Sequence, residues 1–104
     1  KDTSVVAGVD YTETGKAEEY SLEQNYPNPF NSETIISYRI PGEDRVTIKQ
    51  YDVLGSEVAE LLDDTKPAGP HQVRLNSKNL TSGVYFYQIV SGKYTNTKKL
   101  LILK

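Results

Sequence analysis

Cysteine, methionine and tryptophan are absent from this sequence of 104 residues. Without cysteine there is no disulfide and no thiolate metal site. That suits a reducing compartment and equally a bacterial surface protein that does without disulfides. No run of about 18 apolar residues occurs, so no segment has the length of a membrane-spanning helix. No signal-peptide pattern is present either. The first residue is Lys1 rather than methionine, which points to a segment of a longer protein whose leader would lie upstream. The seven glycines stand singly along the chain, so no glycine-rich phosphate cradle exists. With a single histidine, imidazole chemistry has one candidate, His71.

Charge is nearly balanced overall but unevenly placed. Lys1 and Lys16 face Asp2, Asp10, Glu13, Glu18, Glu19 and Glu23 at the amino end, a net charge of −4. The last twelve residues carry Lys93, Lys98, Lys99 and Lys104 and no acid, a net charge of +4. That basic end is too small for a nucleic-acid footprint and has no recognition motif beside it. Lysines along a terminal strand also act to keep its edge soluble.

Residues 1–21 are acidic and lack regular periodicity, which predicts a flexible linker joined to an upstream cargo domain; within it, SVVAGVD could form a short strand. Residues 22–104 form the predicted domain. It opens on LEQNYPNPFNSETIISYRIP. Pro27 and Pro29 fix their own φ and remove two amide donors, and each pushes the residue before it towards an extended backbone. Asn25, Asn28 and Asn31 are turn formers. The expectation is a stiff leading loop, Tyr26–Pro27–Asn28–Pro29–Phe30, anchored on the core by its two aromatics.

Strands then follow at regular spacing. TIISYRI alternates Ile36, Tyr38 and Ile40 against Ser37 and Arg39, the period of a half-buried strand. RVTIKQYDV continues the pattern until Gln50, which falls on the apolar phase. Either its amide is buried and satisfied, or a bulge moves Tyr51 inward. YDVLGSEV reads as a hairpin, with Asp52 opening a type I turn and Gly55 left-handed after it. EVAELL is a third strand, DDTKPAGP a loop, HQVRLN a fourth strand with His71, Val73 and Leu75 in phase, and SKNLTSG a turn. VYFYQIV is apolar on both faces, as a central strand would be, and YTNTKKLLILK closes the chain. Six or seven strands without an amphipathic helix predict an all-β fold, a β-sandwich of two antiparallel sheets.

Catalytic chemistry finds little footing. GPHQVRL offers His71 neither a nucleophile nor an orienting acid, and no G-x-S-x-G elbow exists. Asp63–Asp64 and Glu43–Asp44 are adjacent acids in predicted turns, not two carboxylates set across a cleft. Their spacing does not fit the calcium-loop signature. Asn79–Leu80–Thr81 matches the N-glycosylation pattern, which arises often by chance. The reading is a non-enzymatic module without cofactor or metal. Leu100 to Leu103 are four consecutive apolar residues bounded by lysines. Such a strand is either buried centrally or presented for recognition, where strand addition and alternating pockets are one known mode.

Taken together, LEQNYPNPFNSETIISYRIP, VTIKQYDVLGSEVAELL, AGPHQVRLNSKNLTSGVYFYQI and TKKLLILK resemble the type A C-terminal sorting domains of the type IX (Por) secretion system, over Leu22–Lys104. The resemblance implies a seven-stranded Ig-like sandwich at the end of an exported cargo. The implied partners are the type IX translocon, an outer-membrane shuttle protein and a surface sortase. The sortase would cut within Lys1–Leu22 and either join the cargo to an anionic lipopolysaccharide or release it, so the protein would reside at the bacterial surface or outside the cell. Carried over by position, recognition maps on Gly83, Lys99, Leu100, Leu101, Ile102, Leu103 and Lys104, and the earlier motif positions on Gly55, Gly69 and His71. Gln50 and Leu75 depart from the family pattern, which favours Val or Ile at the first and an aromatic at the second. The proline-rich loop would then be the joint between linker and tag.

Two other readings stay open at this point. Tyr85, Tyr87 and Tyr94 could form a carbohydrate-stacking platform if they line one exposed face. A kinship with flagellar hook-capping modules would instead make the domain an assembly piece that self-associates, where a sorting domain is expected to be monomeric.

Overall fold

The structure, a computed structural model, describes Glu19–Lys104. The expected SVVAGVD strand, and the expected linker as far as residue 18, lie outside the described residues. The described chain is all strand and turn: β1 Ser21–Leu22, β2 Glu33–Ile40, β3 Asp44–Tyr51, β4 Glu57–Lys66, β5 Gly69–Asn76, β6 Gly83–Ser91 and β7 Tyr94–Ile102. They form two antiparallel sheets, ordered β1-β2-β5 and β4-β3-β6-β7. The expected sandwich of about seven strands is therefore present. Compared with the constant-type Ig layout, in which the fourth strand joins the first sheet, β4 here sits beside β3 in the second sheet.

Each inner face is the apolar phase of an alternating strand. Ile36, Tyr38 and Ile40 from β2, Val46 and Ile48 from β3, and Tyr87 and Ile89 from β6 meet Leu100 and Ile102 from β7 in one buried core. Leu75, which departs from the aromatic that the resemblance favours, is buried among them. The inner face of β6 is buried and its outer face is half-buried from Val84 to Gln88, with Val90 exposed, on a strand set between β3 and β7.

The β3–β4 hairpin follows the sequence closely. Gly55 donates its amide to Asp52 O at 3.1 Å, and Asp52 Oδ1 accepts the amides of Leu54 and Ser56. Gly55 has φ +87°, a conformation that side chains with a Cβ rarely take.

Three expectations need correction. DDTKPAGP is not one loop: Asp63 to Lys66 continue β4 and pair with Thr47 back to Asp44, leaving Pro67–Ala68 as the connection to β5. The pattern was obscured because Val58 and Leu61 have no direct partner across the register shifts of β3 and β4. Each extra residue turns the strand and breaks its period of two.

Gln50 matches neither expectation. It points inward and is 1% exposed, its Nε2 has no hydrogen-bond partner, and Tyr51 stays on the outer face.

The proline-rich loop is not a joint ahead of the domain. Ser21 and Leu22 precede it and already pair with Arg39 and Tyr38 in β1–β2, while Tyr20 stacks on Tyr94 with ring centroids 4.6 Å apart. Nor do two aromatics pin the loop. Phe30 is buried, but Tyr26 is 80% exposed and contributes its backbone, bridging Ile35.

Candidate recognition site

The loop from Gln24 to Phe30 is a strap between the two sheets. It begins on β2, where Tyr26 and Ile35 exchange both backbone hydrogen bonds at 2.9 and 3.0 Å. It ends on β7, where Phe30 bridges Ile102 in parallel. Both X–Pro bonds, Tyr26–Pro27 and Asn28–Pro29, are cis. The prolines have no amide to give, so side chains tie the strap down. Asn25 is buried. Its Nδ2 donates to Thr34 Oγ1 and Pro27 O, and its backbone amide donates to Tyr87 Oη at 2.9 Å. Tyr87 Oη in turn donates to Glu23 O at 2.7 Å. Burial, opposed in part by the hydrogen bond from Asn25 and aided by the Glu23 charge, pushes the Tyr87 phenol up to about 12.

The strap closes the outer edge of β7 along the run the resemblance marks for recognition. Gln24 Nε2 donates to Lys99 O at 2.6 Å, and Leu101 N donates to Asn28 Oδ1 at 2.9 Å. Phe30 N donates to Leu101 O at 3.1 Å, and Leu103 N donates to Phe30 O at 2.9 Å. Beyond β7, Lys104 N donates to Ser82 Oγ at 2.8 Å and Lys104 Nζ to Lys78 O at 3.3 Å. The terminal segment is built into the fold. Leu100 and Ile102 are core residues, Leu101 is half-buried, and Lys99, Leu103 and Lys104 are exposed.

The topology gathers most of the marked residues at one pole. Gly83 pairs with Ile102 and Val84 with Leu101. Phe86 lies between Lys99 on one side and Tyr51 on the other. Tyr51 leads into the Asp52–Ser56 hairpin with Gly55, and Phe30 brings the strap to the same end. Gly69 and His71 are elsewhere. Gly69 pairs with Ile40 and His71 with Tyr38, at the pole where the chain comes in through Tyr20 and β1. There His71 Nε2 lies 2.7 Å from Pro67 O, and its ring stacks on Tyr38 at 5.3 Å. Those contacts hold the Pro67–Ala68 crossing between the sheets.

Sequence reasoning missed Gln24 and Asn25 as the ties of the strap, and Val53 and Leu54 as part of this pole. Val53 and Leu54 are 65% and 87% exposed. Two apolar residues at the tip of a hairpin, where Asn, Asp and Gly are usual, were the available signal. Tyr85 was missed as well. It donates from Oη to Thr81 O at 2.9 Å at the start of β6, the tyrosine corner of Ig-like sandwiches.

The other candidates are placed plainly. Tyr85 and Tyr87 are buried and Tyr94 is half-buried under Tyr20, so the three do not line an exposed stacking face. Asp63 is held by Arg45 at 2.8 Å, and Asp64 Oδ1 accepts the amide of Thr65. Asn79 is exposed on the β5–β6 connection.

No curated protein matches the chain. The family model of the secretion system C-terminal sorting domain matches residues 24–103, a span that starts in the strap and ends in the terminal segment it closes over. The chain therefore belongs to the C-terminal sorting domains of type IX secretion, export signals that are in general non-catalytic.

Proposed function

We propose that this domain is the address of an upstream cargo. The type IX translocon and its outer-membrane shuttle protein read it, and a surface sortase then removes it by cutting in the acidic stretch ahead of Leu22. The cargo ends at the outer-membrane surface or in the medium. The recognition residues are those of the terminal segment, Gly83 and Lys99–Lys104, on a scaffold held by the strap and the Gly55 hairpin.

The observation that carries this reading is the polarity of the fold. The chain enters beside Tyr20 and β1, where Gly92 approaches Tyr20 and Asp44. The terminal segment, the hairpin tip and Gly83 sit at the opposite pole. A cargo joined ahead of Glu19 therefore leaves the far pole open to a receptor. Neither role asks for a catalytic group, and the buried polar network around Asn25 and Tyr87 is spent on closing the sandwich.

The test is a reporter fused ahead of Lys1 and expressed in a type IX-competent host and in the same host lacking the translocon. The reporter is expected outside the first and inside the second; equal export from both removes the reading. Deleting Lys99–Lys104 does not replace this test. Leu100 and Ile102 are core residues, so the deletion unfolds the domain as well as removing its signal.

The assembly reading predicts self-association. Sizing chromatography of the full chain is expected to give a monomer, and a concentration-dependent oligomer would favour assembly.

A further inference from the structure

Recognition at the terminal segment can use the strand edge or the side chains, and the geometry decides between them. An added strand needs free backbone donors and acceptors along the edge it joins. On β7, Lys99 O, Leu101 N, Leu101 O and Leu103 N are each taken by Gln24, Asn28 or Phe30. The edge is occupied where the recognition run lies.

The outward side chains are not occupied. Leu103 is 61% exposed. By register, Val84 stands beside Leu101, and Tyr51 beside Phe86, and all four are half-buried on the outer face of the four-stranded sheet. Val53 and Leu54 extend this apolar area at the hairpin. Between hairpin and sheet lies a cleft lined by Tyr51, Val53 and Phe86, with Asp52, Gln88 and Thr97 at its polar side. Further along the same face the neighbours turn polar: Lys49, Gln88 and Thr97 share one row, and Thr47 and Thr95 flank Val90 in the next. The apolar area is thus confined to the pole, the pattern of a binding patch and not of a uniformly greasy sheet.

Charge at the patch is one-sided. Lys49 is already paired with Glu57 at 3.4 Å, and the Asp52 carboxylate is taken by two amides of its own turn. Lys99 has no acid partner among the described residues, and Lys104 Nζ touches only a carbonyl. Lys99, in the row of Phe86, is thus an unneutralised cation beside the apolar area, whereas Lys104 Nζ turns to the β5–β6 connection.

We propose that the receptor is a protein groove, apolar at its floor with carboxylates at its rim, which seats the outer face at Phe86, Leu101 and Leu103 together with the adjoining hairpin tip at Leu54, and pairs with Lys99. The β7 backbone edge takes no part. From the floor of that groove a side chain would enter the cleft between Tyr51 and Phe86, a feature that a receptor surface offers and a bilayer does not. This rests on the sorting reading above and adds to it the hairpin tip, 45 or more residues ahead of the terminal segment.

The experiment uses the reporter joined to the full chain in a type IX-competent host, with Leu54→Asp, Leu103→Asp and the milder Leu103→Ser. Val90→Asp, on the same face at the other end, is the control. The same full chains are purified and melted, and the exposed positions are expected to keep the fold. The unsubstituted and Val90→Asp fusions are expected outside the cell. Both Asp variants are expected to fall at least tenfold in export, with Leu103→Ser between. Export of folded Leu54→Asp and Leu103→Asp at the unsubstituted level overturns the inference alone. Retention of the unsubstituted fusion removes the sorting reading and this inference with it. Flotation of the purified chain with phosphatidylglycerol vesicles is expected to show no binding. Flotation that both Asp variants abolish would assign the patch to a membrane and overturn the protein-receptor claim.

Discussion

Gln50 is the residue at which this sandwich departs from an ordinary core. It occupies the inward phase of β3, and its amide nitrogen is buried without a partner. An unsatisfied buried polar group costs about 1–3 kcal/mol. Replacing it with leucine, of similar volume, is expected to stabilise the domain by about 1 kcal/mol, read as a higher urea midpoint at unchanged slope. A lower midpoint would mean that the amide is satisfied in solution. Tyr87 gives a second test at this scale. Its folded pKa of about 12 lies above the ordinary phenol value of 10.0. The folded state therefore holds the proton more tightly, and the stabilisation is fully present below pH 10 and lost as pH rises towards 12. Two units correspond to roughly 2–3 kcal/mol. Melting curves from pH 8 to 11.5 are expected to fall more steeply for the unsubstituted chain than for Tyr87→Phe. At pH 8 the variant is the less stable, because Asn25 N and Glu23 O lose their partner. The phase break at Gln50 was legible in the sequence, since strand alternation is local. The missing partner was not, because satisfaction depends on what β4 and the β5–β6 connection place nearby.

Among the elements, the strap carries the most consequence. Phe30 is its buried anchor, and truncating a buried phenylalanine costs about 3–5 kcal/mol. Phe30→Ala is expected to lose that much and also to release the β7 edge. Hydrogen exchange at Leu101 and Leu103 is expected to be slow in the intact domain and, in the variant, to accelerate more than at Tyr87 in the middle of β6. Equal acceleration everywhere would indicate global destabilisation without local release. Asn28→Ala removes only the acceptor for Leu101 N and is expected to raise exchange at Leu101, with a stability loss of about 1 kcal/mol. Most strands could be read from TIISYRI, HQVRLN and VYFYQIV, where a period of two is unbroken. Asp63–Lys66 could not, because the extra residues at Val58 and Leu61 shift the phase before the strand continues. β1, two residues long, is too short for any period. The strap's closure of β7 joins residues 73 apart, a pairing that neither proline nor asparagine chemistry reveals.

At the scale of the whole described fold, the proposed function divides the sandwich into a cargo pole and a recognition pole. Tyr20, His71 and the Pro67–Ala68 crossing build the first; Phe30, Gly55, Phe86 and Leu103 build the second. The family's motifs could be recognised one by one in the sequence, but not their division between two ends, since that depends on β4 joining β3 and on the strap crossing from sheet to sheet. Gly69 and His71, which the resemblance marks as motif positions, lie at the pole where the chain enters. The most direct test of this polarity is site-specific photocrosslinking during export. A photoreactive residue is placed at Leu103 in one reporter fusion and at Ala68 in another, both in a type IX-competent host. A crosslink from position 103 to an outer-membrane component of the secretion machinery, with none from position 68, is the expected result. Crosslinks to that machinery from position 68 but not from position 103 would contradict the account.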